Sequence, residues 1–230
     1  MKENRRQAIV LALAGMLAIA FYFWVSRILL LEYTQKSVIK LLLFFGLPLV
    51  YWLIWQKRKL SDVVKSLLPR REQLPRLLLI LAAGVAVIIA ANLLIEPLCR
   101  FFGIDSIIAE IKERTNTNRE KILLVSVYIP MINALAEESF FRSFYSLELT
   151  DLGFKRLGQI FPAALFAVYH LAIFQNWFSF ELTVFCLTGL FLCGLLLNRI
   201  VRRDRHILGV YLLHALLNIA MLTVGYRLFP

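Results

Sequence analysis

Acidic residues are scarce in this chain, 15 against 26 Lys and Arg, and it has only three cysteines and three histidines. Cys99, Cys186 and Cys193 form no CxxC pair and no disulfide framework, and they read as apolar packing. The H-E-x-x-H pair that marks an intramembrane zinc site is missing. No Ser/His/Asp arrangement or reactive cysteine offers a nucleophile. No internal repeat is visible, which weakens a reading as an inverted-repeat transporter. There is no low-complexity tract, and the connections between apolar runs are too short to hold a separate soluble domain.

What the chain has is apolar length. Hydrophobic residues make up 60% of its 230 positions, above the roughly 45–50% of soluble domains. A helix needs about 20 mostly apolar residues to cross a bilayer's hydrocarbon core. Seven segments qualify: Ala8–Val25, Val38–Trp55, Leu77–Ile95, Ile122–Leu147, Ile160–Trp177, Phe180–Asn198 and Ile207–Tyr226. The expected fold is all-α, a polytopic transmembrane helical bundle of about seven spans plus interfacial helices. Residues 1–121 supply N-terminal spans of the same bundle, and 122–226 form its chemical core. Met1–Arg6 resembles a signal peptide's basic start and Ala18-Ile19-Ala20 a cleavage site. The apolar run continues to Val25, however, so an uncleaved first helix is expected.

A net charge of +11 raises the question of nucleic acid, and its placement answers it. With the N-terminus inside and the spans alternating, 16 basic residues fall on the inner side: Lys2, Arg5, Arg6, Lys57, Arg58, Lys59, Lys65, Arg70, Arg71, Arg76, Lys155, Arg156, Arg199, Arg202, Arg203 and Arg205. Eight fall outside: Arg27, Lys36, Arg100, Lys112, Arg114, Arg119, Lys121 and Arg227. Positively charged loops stay in the cytoplasm, so the N-terminus is expected inside and the C-terminus outside. The basic face suits anionic lipid headgroups rather than nucleic acid. The dense arginine loops fit a bacterial cell membrane. Trp24, Trp52, Trp55 and Trp177 near span ends suggest an aromatic belt.

Two connections have a helical apolar stripe. Leu60–Leu68 is flanked by Lys57–Lys59 and Arg70-Arg71 and stopped by Pro69, so it reads as an interfacial helix. Gly103–Lys121 carries Ile104, Ile107, Ile108 and Ile111 on one face, as a second interfacial helix or a lid.

Three polar motifs interrupt the apolar segments: Glu137-Glu138-x-x-x-Arg142, Phe166-x-x-x-His170 and His214-x-x-x-Asn218. Ionisable groups in a bilayer are costly and usually face a bundle interior or a water cavity. From the segment ends, Glu137, His170 and His214 are expected roughly 10–15 Å below the inner surface, at about 1.5 Å per residue. His214 and Asn218, like Phe166 and His170, are one helical turn apart and share a face. Glu138 and Arg142 have the spacing of an ion pair. Glu137 and Glu138 point about 100° apart around the helix. One can therefore line a site while the other is held by Arg142, which makes Glu137 the chemical carboxylate. Such a set can activate water by general base catalysis, with His214 and Asn218 donating to an oxyanion. Alternatively Glu137, His170 and His214 could bind Zn2+ with a water at an open position. Pro130 is expected to kink its helix. Tyr169, Asn133 and Asn176 are candidates for supporting contacts. His206 sits in an arginine-rich loop and carries no role. Glu181 and Asn198 read as interface residues.

At these three motifs the chain resembles the CPBP family of intramembrane proteases. That family contains the eukaryotic CaaX prenyl-protein endopeptidase and the bacterial bacteriocin-processing or immunity (Abi) proteins. Its hallmarks E-E-x-x-x-R, F-x-x-x-H and H-x-x-x-N stand here intact and in order, within Ile122–Tyr226. The resemblance implies an endopeptidase open to the cytoplasmic half of the membrane. Glu137 would activate water beside His170, His214 and Asn218 would stabilise the oxyanion, and Glu138, Arg142 and Phe166 would support the site. It leaves open whether the site binds Zn2+ or uses a metal-free, glutamate-activated water. The substrate it implies is a peptide or membrane protein: a CaaX-type prenyl protein, a leader or a signalling peptide. The competing readings are a membrane transporter, and a non-enzymatic immunity or scaffold protein.

Overall fold

The computed structural model describes residues 2–29, 31–102, 126–174 and 180–228. The chain is all-α, and no strand occurs among the described residues. In chain order the helices are α1 (Lys2–Arg27), α2 (Tyr33–Trp55), α3 (Leu60–Leu67), α4 (Leu74–Phe102), α5 (126–151), α6 (Lys155–Tyr169), α7 (Leu171–Phe174), α8 (Phe180–Asp204) and α9 (Leu208–Leu228). Five stretches are long and apolar enough to cross a membrane: Lys2–Arg27, Tyr33–Trp55, Leu60–Pro97, Phe180–Asp204 and Leu208–Arg227. Leu17, Ile54, Leu79, Phe185 and Met221 stand exposed on these stretches, as lipid-facing positions should. The fourth and fifth expected segments are helical but differ in kind. α5 carries Glu137, Glu138 and Arg142, and α6 stops after 15 residues. The amphipathic segment Gly103–Lys121, Asn176 and Trp177 lie outside the described residues.

Local sequence sets several boundaries. Gln35 Oε1 accepts the backbone N–H of Glu32 at 3.1 Å, which closes the start of α2. α3 is helical where an amphipathic helix was expected, and it stops at Leu68, whose extended backbone is what a following proline demands. Pro130 lies in a π-helical turn over Ile129–Asn133, one way a helix absorbs a missing N–H. A second π-helical stretch covers Glu138–Leu147.

The chain divides into two compact units, 1–69 with 136–208, and 70–135 with 209–230. The first has an aromatic core. Phe44 stacks on Phe140 at 4.3 Å and meets Phe141 edge-on at 5.4 Å. Phe144, Tyr145 and Tyr169 complete this core. α6 and α8 approach closely, since a Cβ on Gly194 would lie 3.0 Å from Ala163 Cα. Asn198, expected at the interface, is instead buried on α8 and donates to Gln159 O at 2.8 Å. Trp52 also departs from the aromatic belt. Its indole N–H donates to buried Glu148 at 2.8 Å, and Gln56 donates to the other oxygen at 2.8 Å. His206 lies in the turn after α8, as expected, but is buried.

In the second unit, α4 and α9 pack so closely that a side chain at Gly84 would collide with Leu216. Asn92 donates to Thr223 Oγ1 at 2.8 Å, and Arg227 pairs with Glu96 at 2.5 Å.

Candidate active site

Glu137 is the centre of the first unit's polar chemistry. Only 1% of it is exposed. Its Oε1 accepts the Tyr169 hydroxyl at 2.7 Å and faces Lys40 Nζ at 3.8 Å. Lys40 also donates to the Tyr169 oxygen at 3.4 Å, so the three groups form a closed buried triangle. Donor chemistry fixes its polarity. An ammonium can only donate, a carboxylate can only accept, and the phenol does both. Tyr169, expected only as a supporting contact, thus bonds the carboxylate directly.

Lys40 is the site residue that sequence reasoning missed. Its signal was present: among the seven apolar segments it is the one basic residue besides Arg142. A lysine at such depth requires a carboxylate.

His170 stands just past the end of α6. Its backbone N–H turns back to Ala167 O at 3.0 Å instead of reaching Phe166 O. The imidazole Nδ1 takes up that released carbonyl at 2.6 Å. A carbonyl only accepts, so Nδ1 carries the proton and Nε2 carries the lone pair of the neutral ring. The Tyr169 ring lies against the imidazole, centroids 4.5 Å apart, with its hydroxyl on Glu137. Tyr169 therefore joins the two expected catalytic residues.

Glu138 and Arg142 pair at 3.2 Å with both side chains fully buried. The guanidinium lies 4.3 Å over the Phe166 ring, a cation–π geometry. Phe166 also meets His170 edge-on at 4.7 Å. This phenylalanine is the aromatic wall expected beside the imidazole, and it also connects the glutamate–arginine motif to the histidine motif.

Three elements bring these groups to one level. Lys40 lies fifteen positions before the end of α2, Glu137 fourteen before the end of α5, and His170 fifteen after the start of α6. At about 1.5 Å per residue that is roughly 20 Å from one end of the unit. These helices extend beyond the apolar segments. α5 runs on to Asp151 because Glu148 is held in the core by Trp52 and Gln56, and α6 starts five residues before the apolar run.

His214 and Asn218 lie in the second unit, one turn apart on α9, and both are buried. Asn218 Nδ2 finds no acceptor among the described residues.

The family resemblance raises the question of zinc. Among the described residues no three of His, Cys, Asp and Glu gather as a metal's ligands would. The nearest cation to Glu137 is already an ammonium, and a second cation beside it would be repelled. The residues do not fit a zinc site.

A buried carboxylate, a lysine–tyrosine pair and an imidazole, set among membrane-length helices, define an integral membrane protein with an ionisable site at depth. Residues 119–220 match the family model described as Type II CAAX prenyl endopeptidase Rce1-like. The match bears out the resemblance read from the three motifs: this segment, somewhat under half of the chain, is similar to a family of proteases. No curated protein and no solved structure matches the chain.

Proposed function

We propose that the protein is an intramembrane endopeptidase in which Glu137 activates water. The observation that carries this reading is a carboxylate buried at depth yet held by directed donors, Tyr169 and Lys40, beside His170. Such a group is costly in a bilayer unless it has work to do. Glu137 takes a proton from water as the oxygen attacks the scissile carbonyl. By the family resemblance, His214 and Asn218 are the donors that stabilise the resulting oxyanion. Glu137 then returns the proton to the leaving amine as the C–N bond breaks, so the proton count closes. His170, with its lone pair on Nε2, sits beside this path and assists the water. Glu138 and Arg142 hold α5.

The substrate class is a membrane-associated peptide: a CaaX-type prenyl protein, a leader or a signalling peptide. The basic end of the first unit is the cytoplasmic end, with the N-terminus inside and the C-terminus outside. Contacts of Asn4 with Leu152, Arg58 with Glu148 and Arg205 with Asp151 gather basic segments at that end.

The test compares new peptide termini in membranes holding wild type or Glu137→Gln at matched levels. Termini made only by wild type support the reading and identify the substrate. Identical termini, together with equal cleavage of a synthetic prenylated peptide by both purified proteins, would refute it.

A further inference from the structure

Lys40 lies outside the three motifs and Tyr169 fills a variable position of the second, yet they converge on the same oxygen of Glu137. Resting on the proposed role of Glu137, we infer that Lys40 is a positioning residue that acts with Tyr169 as the built-in counter-cation of the general base.

Three observations lead there. First, the geometry is closed: Lys40 Nζ to Tyr169 Oη 3.4 Å, Tyr169 Oη to Glu137 Oε1 2.7 Å, and Lys40 Nζ to Glu137 Oε1 3.8 Å. Second, the triangle is buried. The side chains of Lys40 and Glu137 are 8% and 2% exposed. A lone buried charge costs several kcal/mol, so neither side chain is tolerable there without an opposite partner. Third, the charges match. Arg142 is matched to Glu138, so in the first unit's core Lys40 is the cation matched to Glu137.

The consequence for the reaction is positional. Both donors load Oε1, which fixes the carboxylate's rotamer and directs Oε2 toward the proton of the attacking water. Lys40 contacts Tyr169 and Glu137, which makes its role one of positioning. It keeps Glu137 in one orientation, and with Tyr169 bridging to His170 it keeps base and imidazole in register. Misplacing a catalytic group by about 1 Å costs on the order of 10²-fold in rate.

The experiment uses the full chain in nanodiscs with a fluorogenic prenylated peptide. Glu137→Gln is the control for the general-base role, and Lys40→Met, Lys40→Arg and Tyr169→Phe are compared with wild type. Lys40→Met should lower kcat roughly 10²-fold with KM changed less than about threefold, because orientation rather than binding is lost. Lys40→Arg should recover most of that loss, and Tyr169→Phe should fall between. A Lys40→Met protein with wild-type kcat, or with a change in KM alone, overturns the inference. A thermal-unfolding cycle decides the pairing without activity. Lys40→Met should lower Tm on the order of 10 °C, and Lys40→Met/Glu137→Gln should recover most of it. Additive losses overturn the pairing. If Glu137→Gln cleaves like wild type, the general-base reading fails by itself, and the unfolding cycle still judges whether Lys40 is matched to Glu137.

Discussion

Adjacent glutamates with opposite duties can be separated by experiment. Glu138 and Arg142 lie 3.2 Å apart with no exposed surface on either side chain. Replacing Arg142 with Met keeps much of the volume but leaves Glu138 charged and unmatched in an aromatic core. Breaking a buried pair from one side costs about 3–5 kcal/mol. Loss of the guanidinium over Phe166 adds up to about 2 kcal/mol. For a chain of this length each kcal/mol lowers Tm by about 2–4 °C, so Arg142→Met should melt roughly 10 °C or more below wild type. Removing both charges should behave differently, because matched apolar replacements of a buried pair are often neutral or stabilising. Glu138→Met/Arg142→Met should therefore recover most of the lost Tm.

Circular dichroism melts in one detergent, run with wild type, both single variants and the double variant, measure all four corners. The double variant should also retain cleavage per folded molecule, whereas Glu137→Gln should be inactive per folded molecule and, with Lys40 left unmatched, melt below wild type. An unchanged Tm for Arg142→Met, or a double variant as unstable as the two singles added together, would refute the argument that this pair is structural. A double variant that folds but is as inactive as Glu137→Gln would show that the division between the two glutamates is wrong.

The other expected outcomes concern packing and cofactor. Glu148→Ala removes the acceptor for Trp52 and Gln56 and should cost about 2–3 kcal/mol, read as a lower Tm, with little from half-exposed Arg58. Gly194→Val places a Cβ 3.0 Å from the Ala163 backbone and should destabilise by about 1–3 kcal/mol, whereas the exposed Gly189, with no atom near its Cβ direction, should accept Ala within about 1 kcal/mol. Phenanthroline or EDTA should leave cleavage of the peptide unchanged, because the cation beside Glu137 is Lys40. A chelator-sensitive rate restored by added Zn2+ would contradict that.

The motif residues were legible because a bilayer makes polarity conspicuous. Glu137, Glu138, Arg142 and His170 interrupt runs that otherwise have no reason to contain them, and the structure buries the first three fully and sets His170 beside the Tyr169 that bonds Glu137. The spacing of Glu138 and Arg142 carried their pairing, because four residues on a helix fix a contact locally. Phe166 was legible only as a neighbour of His170. Its place over Arg142 depends on how α5 and α6 pack, which no local spacing encodes. The helix ends were illegible for a related reason. Hydropathy marks where apolar composition stops, but α5 continues through Glu148 because Trp52 and Gln56, some 90 residues earlier, satisfy that carboxylate.

Lys40 marks the boundary between what could and could not be read. Its partner lies 97 residues away, so no motif contains both. Charge parity was nevertheless available. Setting aside Glu181 at the very start of its segment, Glu137, Glu138 and Arg142 leave one negative charge unmatched, and Lys40 is the other basic residue found in the apolar segments. Counting alone gives the existence of a second pair. It does not give the assignment, since either glutamate could have been the one matched to Lys40. The π-helical stretch that begins at Glu138 and the aromatic packing of Phe140 and Phe141 on Phe44 decide which carboxylate faces α2. In a membrane, then, sequence carries the charge balance, and side-chain packing decides which carboxylate is free of the arginine to serve as the base.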